Sequence, residues 1–564
     1  MPSTRVTPNS NPVPVNIVGS SVFARYNKIS GERTTNLYIT TNGAQPDAEN
    51  YEAFLISYPG YKRVLQLLAT GAGRGLFHST RGNLALAVVN SSVYQISPTL
   101  GVTLIGTIAS TAGEVFMAEN LNAQICLVDG VNAYIYNYDD PPNLVIQTDG
   151  ALGSGALIPS YVEYHNTFFL FGNGNTTANG AAWYAYSYSS PTTIVQTTQL
   201  ALQTKADYAR AVKRIPGAGN NVLVFGTTVA EIHTQVGGLL NYIRNQSVNI
   251  NYGCLSVSTI GEGGTYLAWL AVNEEESPVI MVYDGSNAQR ISTDGIDYLL
   301  SSVVAPQTST AMLYQADGHL FYQLTFYDTR DNLTLLYDFN TKMFFNLSDQ
   351  FLNYHPMRAV IYFSLKTYFI SLNNGSLYEL SSNINVIDEN IAPATVDTLI
   401  YDIQRERITA NIREGNSTRF RINSFVLTLE QGTDPAYSEL DLILAQGNWL
   451  ITEDDFNPPD AGIISEMGQP IIAESGVISF EANPEEATGT FAYLPYIPRV
   501  DLAISKDGSI TWSNYVPSQL NTLGHRQNIC HWSNMGVAND LSFKVRVWSR
   551  WRTILSNAMV DIVL

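Results

Sequence analysis

From about residue 66 to 385 the chain repeats one pattern: a turn, an alternating apolar run, a short break, then a second run closed by Tyr or Phe. The paired runs fall at 83–89 with 92–96, 124–130 with 133–137, 166–171 with 182–186, and 221–226 with 230–233. Three more follow at 265–270 with 279–285, 319–324 with 334–338, and 366–371 with 375–380. Period-two alternation, β-branched and aromatic residues and Asn or Asp beside Gly read as β-hairpins. Seven hairpins in roughly 320 residues give about 45 residues per unit, the size of a four-stranded propeller blade. A single blade cannot bury both faces of its sheet, whereas blades stacked radially cover one another. The pattern predicts an all-β protein with a β-propeller over 66–400, seven blades being favoured over a competing count of six.

The flanks differ. Residues 1–65 read as a Pro-rich N-terminal arm and a strand, and 401–564 as a C-terminal β-sandwich-like domain with runs such as 419–429, 500–505 and 541–548. An acidic insertion near 433–498 interrupts that domain: no Lys or Arg occurs between Arg421 and Arg499. A phrase of two apolar residues, a small one and a glutamate recurs there, ending at Glu453, Glu466 and Glu474. It reads either as an exposed acidic loop or as a docking lobe for a basic partner.

Composition narrows the function classes. Charged residues are 14% of the chain, and polarity comes from Asn, Thr, Ser, Gln and 33 Tyr, a mix that suits strands and turns. A net charge of −19 argues against gripping DNA from outside, which needs phosphate-neutralising cations, but not against a wall past which DNA slides. Cys126, Cys254 and Cys530 are too far apart for a metal spacing and odd in number for a disulfide framework, so they read as reduced, buried thiols. The N-terminus has no apolar signal core and no run approaches the ~20 residues that span a bilayer, which predicts a soluble chain made in a cytoplasm.

Candidate chemistry is sparse. Ser505–Trp512 resembles the Asp-box of sialidases, with Ser509 where that motif has Gly, and reads as a turn in which Asp507 accepts backbone N–H groups and Trp512 packs beneath. No arginine cluster or Tyr–Glu nucleophile pair accompanies it. Carboxylates such as Asp129, Glu163, Asp284 and Asp338 mostly sit at turns, and a glycosidase needs two at a set separation. The seven histidines show no metal-binding spacing. No catalytic, cofactor-binding or metal-ligating residue is assigned. The one basic–aromatic cluster is Lys544, Arg546, Arg550 and Arg552 with Trp548 and Trp551, where Lys544 and Arg546 share one strand face. It reads either as a charged edge that discourages aggregation or as a partner-contact surface.

Several stretches together resemble the packaged-DNA stabilisation (tail hub or plug) proteins of short-tailed bacteriophages. They are Val15–Ile17 through Asn36–Tyr38, the turn Ser57–Arg63, Val222–Gly226 with Ala230–Ile232, Asn251–Cys254, Val282–Tyr283 with Ala288, Ile291–Thr293 and Ile296, and the basic strand Phe543–Val547. The acidic insertion departs from the family. The resemblance implies a non-catalytic homo-hexameric hub below the portal and its adaptor ring. Such a hub retains packaged DNA, anchors the tail needle and tailspikes or fibres, uses no cofactor, and neither reads DNA sequence nor inserts into a membrane. Two alternatives stay open: a propeller glycosidase or depolymerase, and a glycan-binding module that stacks sugars on Tyr and Trp.

Overall fold

A computed structural model describes residues 11–26, 31–43, 52–140, 144–237, 241–390, 400–413, 419–432, 478–482, 487–491, 498–520 and 527–563. The chain divides into two compact units, one of residues 21–30 and 64–380, the other of 1–20, 31–63 and 381–564.

The first unit is a seven-bladed β-propeller. Blades 1 to 4 are four-stranded antiparallel sheets over residues 73–107, 116–146, 159–201 and 211–250. Blade 5 covers 253–290, its first strand broken by the 3-10 turn Val257–Thr259. Blade 6 covers 310–347, and blade 7 contributes Met357–Phe363, Lys366–Ser371 and Ser376–Ser381. Each hairpin predicted from the apolar pattern is the central pair of strands of one blade. Several of these strands are buried at every position because neighbouring blades cover both faces, as at Leu84–Val89, Gln124–Val128 and Pro278–Tyr283.

Mixed cores join consecutive blades. Leu86 and Val88 of blade 1 pack with Ile125 and Leu127 of blade 2, and Phe225 of blade 4 meets Trp269 of blade 5 edge-on at 5.2 Å between ring centroids. The ring closes where Ala85, Ala87 and Val89 of blade 1 pack with Phe363, Tyr368 and Ile370 of blade 7. Leu67, with Val64, Leu65 and Leu68 beside it, adds the start of the propeller segment to this same core, so the closing interface is fed from both ends of the propeller.

The first strand of a blade packs against the first strand of the next, as in blades 1 and 2, 2 and 3, 3 and 4, 5 and 6, 6 and 7, and 7 and 1. The first strands therefore line the axis. Crowding there selects small residues: a Cβ on Gly75 would meet the Val115 carbonyl, and one on Gly261 would lie 3.1 Å from Leu313.

The second unit is a β-sandwich built from both ends of the chain. One sheet runs in the order Leu37–Thr41, Ala53–Ser57, Thr553–Val563, Phe420–Gln431, Gln527–Ala538, with Asn11–Val15 also paired to Thr553–Val563. The other contains Arg33–Thr35, Arg405–Ile408, Ser542–Trp548, Arg499–Ser505 and Val516–Gln519. The sheets meet through Phe425 and Phe543, stacked at 4.1 Å, and through the Trp532 indole N–H, which donates to the Val516 carbonyl at 3.0 Å. Strands from Asn11–Val15, Arg33–Thr35, Leu37–Thr41 and Ala53–Ser57 and strands of the C-terminal region, distinct by sequence pattern, thus share one sandwich.

Buried arginines act as staples in both units. Arg407 donates to the carbonyls of Ile17 and Ser20 at 2.9 Å, to Thr34 Oγ1 at 3.1 Å and to Glu32 at 2.8 Å. Arg74, at the start of blade 1, donates to the carbonyls of Asn90, Ser110, Ala112 and Gly113 within 2.7 Å. It thereby fixes the connection between blades 1 and 2. Replacing Arg74 with Met leaves these part-buried acceptors without their donor, at roughly 1–3 kcal/mol for each that finds no water. The expected loss in urea unfolding of the propeller is therefore at least about 3 kcal/mol, and a change below about 1 kcal/mol would contradict the staple.

Candidate functional site

The densest charge in the propeller lies on its axis. Glu163 comes from the first strand of blade 3, Pro159–His165, and Lys213 and Arg214 from that of blade 4, Ala211–Arg214. Glu262 comes from Gly261–Gly263 of blade 5. Lys213 Nζ bonds both Glu163 and Glu262, the latter at 2.8 Å, and Arg214 reaches Glu262 at 3.1 Å. Burial alone would lower the pKa of the Lys213 ammonium. Glu163, Tyr161 and Glu262 outweigh it and hold the group well above its ordinary value. Burial likewise pushes Glu262 up, but Lys213 and Arg214 bring it below the usual carboxylate range.

Next to this network the Phe116 ring of blade 2 packs on Tyr161 of blade 3 at 4.4 Å between centroids. Beyond it, Glu114, on the approach to blade 2, faces Arg358 of the blade 7 first strand at 3.5 Å. The Arg358 guanidinium lies over the Tyr327 ring, 5.6 Å from its centroid. The first strands thus bring together a charged cluster, an aromatic pair and a second charged pair.

Elsewhere in the propeller, carboxylates hold turns. Asp129 accepts the N–H groups of Ser110, Val131 and Asn132, and Asp284 those of Ser286 and Asn287. Asp338 accepts from Asn340 N–H and Thr341 Oγ1 and pairs with His319 at 2.9 Å. Glu163 is the exception among the carboxylates singled out by sequence, because it faces the axis. In blade 4, Glu231 is buried beside His233 at 3.0 Å and accepts the Gln203 and Thr204 N–H groups. These bonds overcome its desolvation and bring its pKa down to about 2. Among the described residues no group of three His, Cys, Asp or Glu side chains could hold a metal ion. Cys126, Cys254 and Cys530 are free and buried, and burial raises each thiol's pKa.

The basic–aromatic cluster lies in the sandwich. Along Ser542–Trp548 the residues Phe543, Val545 and Val547 are buried while Lys544, Arg546 and Trp548 share the opposite face. Trp512 covers the Lys544 ammonium at 4.4 Å and Tyr515 covers Arg546 at 4.2 Å. Arg546 also bonds Glu406 at 2.7 Å, and Arg550 bonds Asp402 at 2.8 Å. Arg552 follows on the same connection and is also engaged within the chain. Lys544, Arg546 and Arg550 are thus paired with rings or carboxylates of their own unit.

The Ser505–Trp512 motif forms the expected turn: Asp507 accepts the Ile510 and Thr511 N–H groups and its pKa falls to about 2, while Ser509 takes a positive φ of 66°. Trp512 does not pack beneath it but stays half-exposed over Lys544. Glu453, Glu466 and Glu474 lie outside the described residues.

A family model described as phage stabilisation, "Bacteriophage P22 Gp10, beta-propeller", matches residues 36–385, more than half of the chain. The chain belongs to that family. It is accordingly a structural protein of the phage tail hub, a virion component built on a β-propeller. No curated protein matches the chain. Solved structures similar to it include catalytically inactive virginiamycin B lyase from Staphylococcus aureus with quinupristin, at 9% identity and TM-score 0.38, covering 57% of this chain and 98% of that one. A streptogramin B lyase is similar at 10% identity and TM-score 0.36, over 57% and 97% of the two chains. The N-terminal domain of Nup159 is similar at 11% and 0.35, over 58% and 95%.

Two substitutions separate the axial network from the sandwich face. Lys213→Met leaves two carboxylates facing each other in a largely buried site and is expected to cost about 3–5 kcal/mol. Lys544→Ala removes one half-exposed cation–π contact and is expected to cost about 1 kcal/mol or less. Equilibrium denaturation of both variants checks the contrast; equal losses would contradict it.

Proposed function

We propose that this protein is a non-catalytic subunit of a ring below the portal and adaptor of a short phage tail, where it retains packaged DNA and anchors the needle and tailspikes or fibres. Family membership over residues 36–385 carries this reading. The mutual pairing of charges on the first strands is consistent with it. The axial side chains of Glu163, Lys213, Glu262, Glu114 and Arg358 are each no more than about a fifth exposed, and their charges are committed to one another. A DNA conduit in such a ring then runs between subunits, not through any one propeller.

The expected ring is a homo-hexamer, assembled in the host cytoplasm and carried in the virion tail. With a net charge of −19, its conduit wall repels the DNA backbone and so does not trap it during ejection. The basic cluster at Lys544, Arg546, Arg550 and Arg552 and the acidic insertion with Glu453, Glu466 and Glu474 are the proposed partner-contact regions. In the first, the cations act together with the aromatic rings that cover them.

Mass photometry of the purified protein, alone and with the adaptor protein encoded beside it, tests the reading. A ring that forms in the presence of the adaptor is expected. A monomer under both conditions that releases sugar from host polysaccharide would replace the hub reading with a depolymerase.

A further inference from the structure

One pair in the axial cluster differs from the rest. Glu114 Oε2 and Arg358 Nε are buried and have no hydrogen-bond partner, although the two side chains approach to 3.5 Å. Blade 1 separates blades 2 and 7 in the ring, so this pair crosses between blades that share no sheet-to-sheet interface. Ser258, in the 3-10 turn of blade 5, is a further polar neighbour of this carboxyl. The charged and titratable groups around Glu114 are Arg358 from blade 7 and Tyr161 from blade 3, with Arg74 of blade 1 beside Arg358. Lys213, Glu163 and Glu262 also act electrostatically on Tyr161.

We propose that Glu114 is a proton-operated latch on the propeller axis: ionised, it ties blade 2 to blade 7 through Arg358, and on taking up one proton it releases Arg358 while the ring stays closed by its neighbour-to-neighbour cores. The balance is one proton taken from solvent onto a carboxylate oxygen, with no other bond made or broken. Burial raises the Glu114 pKa from 4.5 to about 7, against the opposing pull of Arg358 and, less, of Ser258. The folded chain therefore holds this proton more tightly than the unfolded chain does. The stabilisation that proton gives is complete below pH ~4.5 and is lost as pH rises through about 7. The closed latch is the costlier state, which is why a change of one pH unit about neutrality is enough to move it. Glu262, by contrast, is held below the usual carboxylate range by Lys213 and Arg214.

Hydrogen exchange by mass spectrometry on the full-length protein, corrected for intrinsic rates between pH 6 and 8, tests the latch. Peptides over 110–119 and 355–363 are expected to change exchange several-fold and together, with a midpoint near pH 7. Peptides over 221–225 should stay constant. Glu114→Gln is expected to remove the change from both peptides. Arg358→Met, which takes away the cation but leaves the carboxyl, is expected to move the midpoint to higher pH. No change in the wild type, or the same change persisting in Glu114→Gln, would overturn the proposal. An unmoved midpoint in Arg358→Met would do so as well.

Discussion

The propeller depends on how seven first strands share one axis. The first strands of neighbouring blades pack on one another there, so side chains that would be harmless on an outer strand come into contact. Small residues relieve the crowding at Gly75 and Gly261, and aromatic packing fills it at Phe116 and Tyr161. Charges are tolerated only as sets. An isolated buried ion costs several kcal/mol, and attraction repays that cost only where the geometry is good. Lys213 between Glu163 and Glu262 meets the condition with bonds to both. Glu114 and Arg358 meet it incompletely, which makes that pair the responsive part of the axis.

This arrangement explains what the sequence could and could not reveal. The seven hairpins were legible because the two central strands of a blade are covered on both faces and read as dense apolar runs. The first strands were not, because their function at the axis puts Arg74, Glu163, Lys213, Glu262 and Arg358 into the alternation and breaks the signal. The fourth strands were missed for the opposite reason: Val102–Thr107 and Leu144–Ile146 are half-exposed at the rim and carry mixed residues.

In the sandwich, Arg405-Glu406-Arg407 looks like a solvent-facing strand. The structure inverts it, burying both arginines on carbonyl groups and turning Glu406 outward to Arg546. Nothing local in the sequence signals this, since the acceptors, such as Ile17 and Ser549, lie hundreds of residues away or in other strands. The cluster at Lys544 and Arg546 was visible as a pattern, but its rings, Trp512 and Tyr515, come from a different strand connection. The Asp-box turn was legible in full except for the place of its Trp.

A propeller whose axial charges pair with one another suits a subunit that offers its outer surfaces to a larger assembly of the phage tail. The central physical claim is that the axis makes seven blades behave as one body. Native-state hydrogen exchange resolved over the seven first strands tests it most directly. The account predicts that these strands open together, at a single free energy equal to that of unfolding the whole propeller. A graded series, with blades opening one at a time from the closing interface between blades 7 and 1, would contradict it.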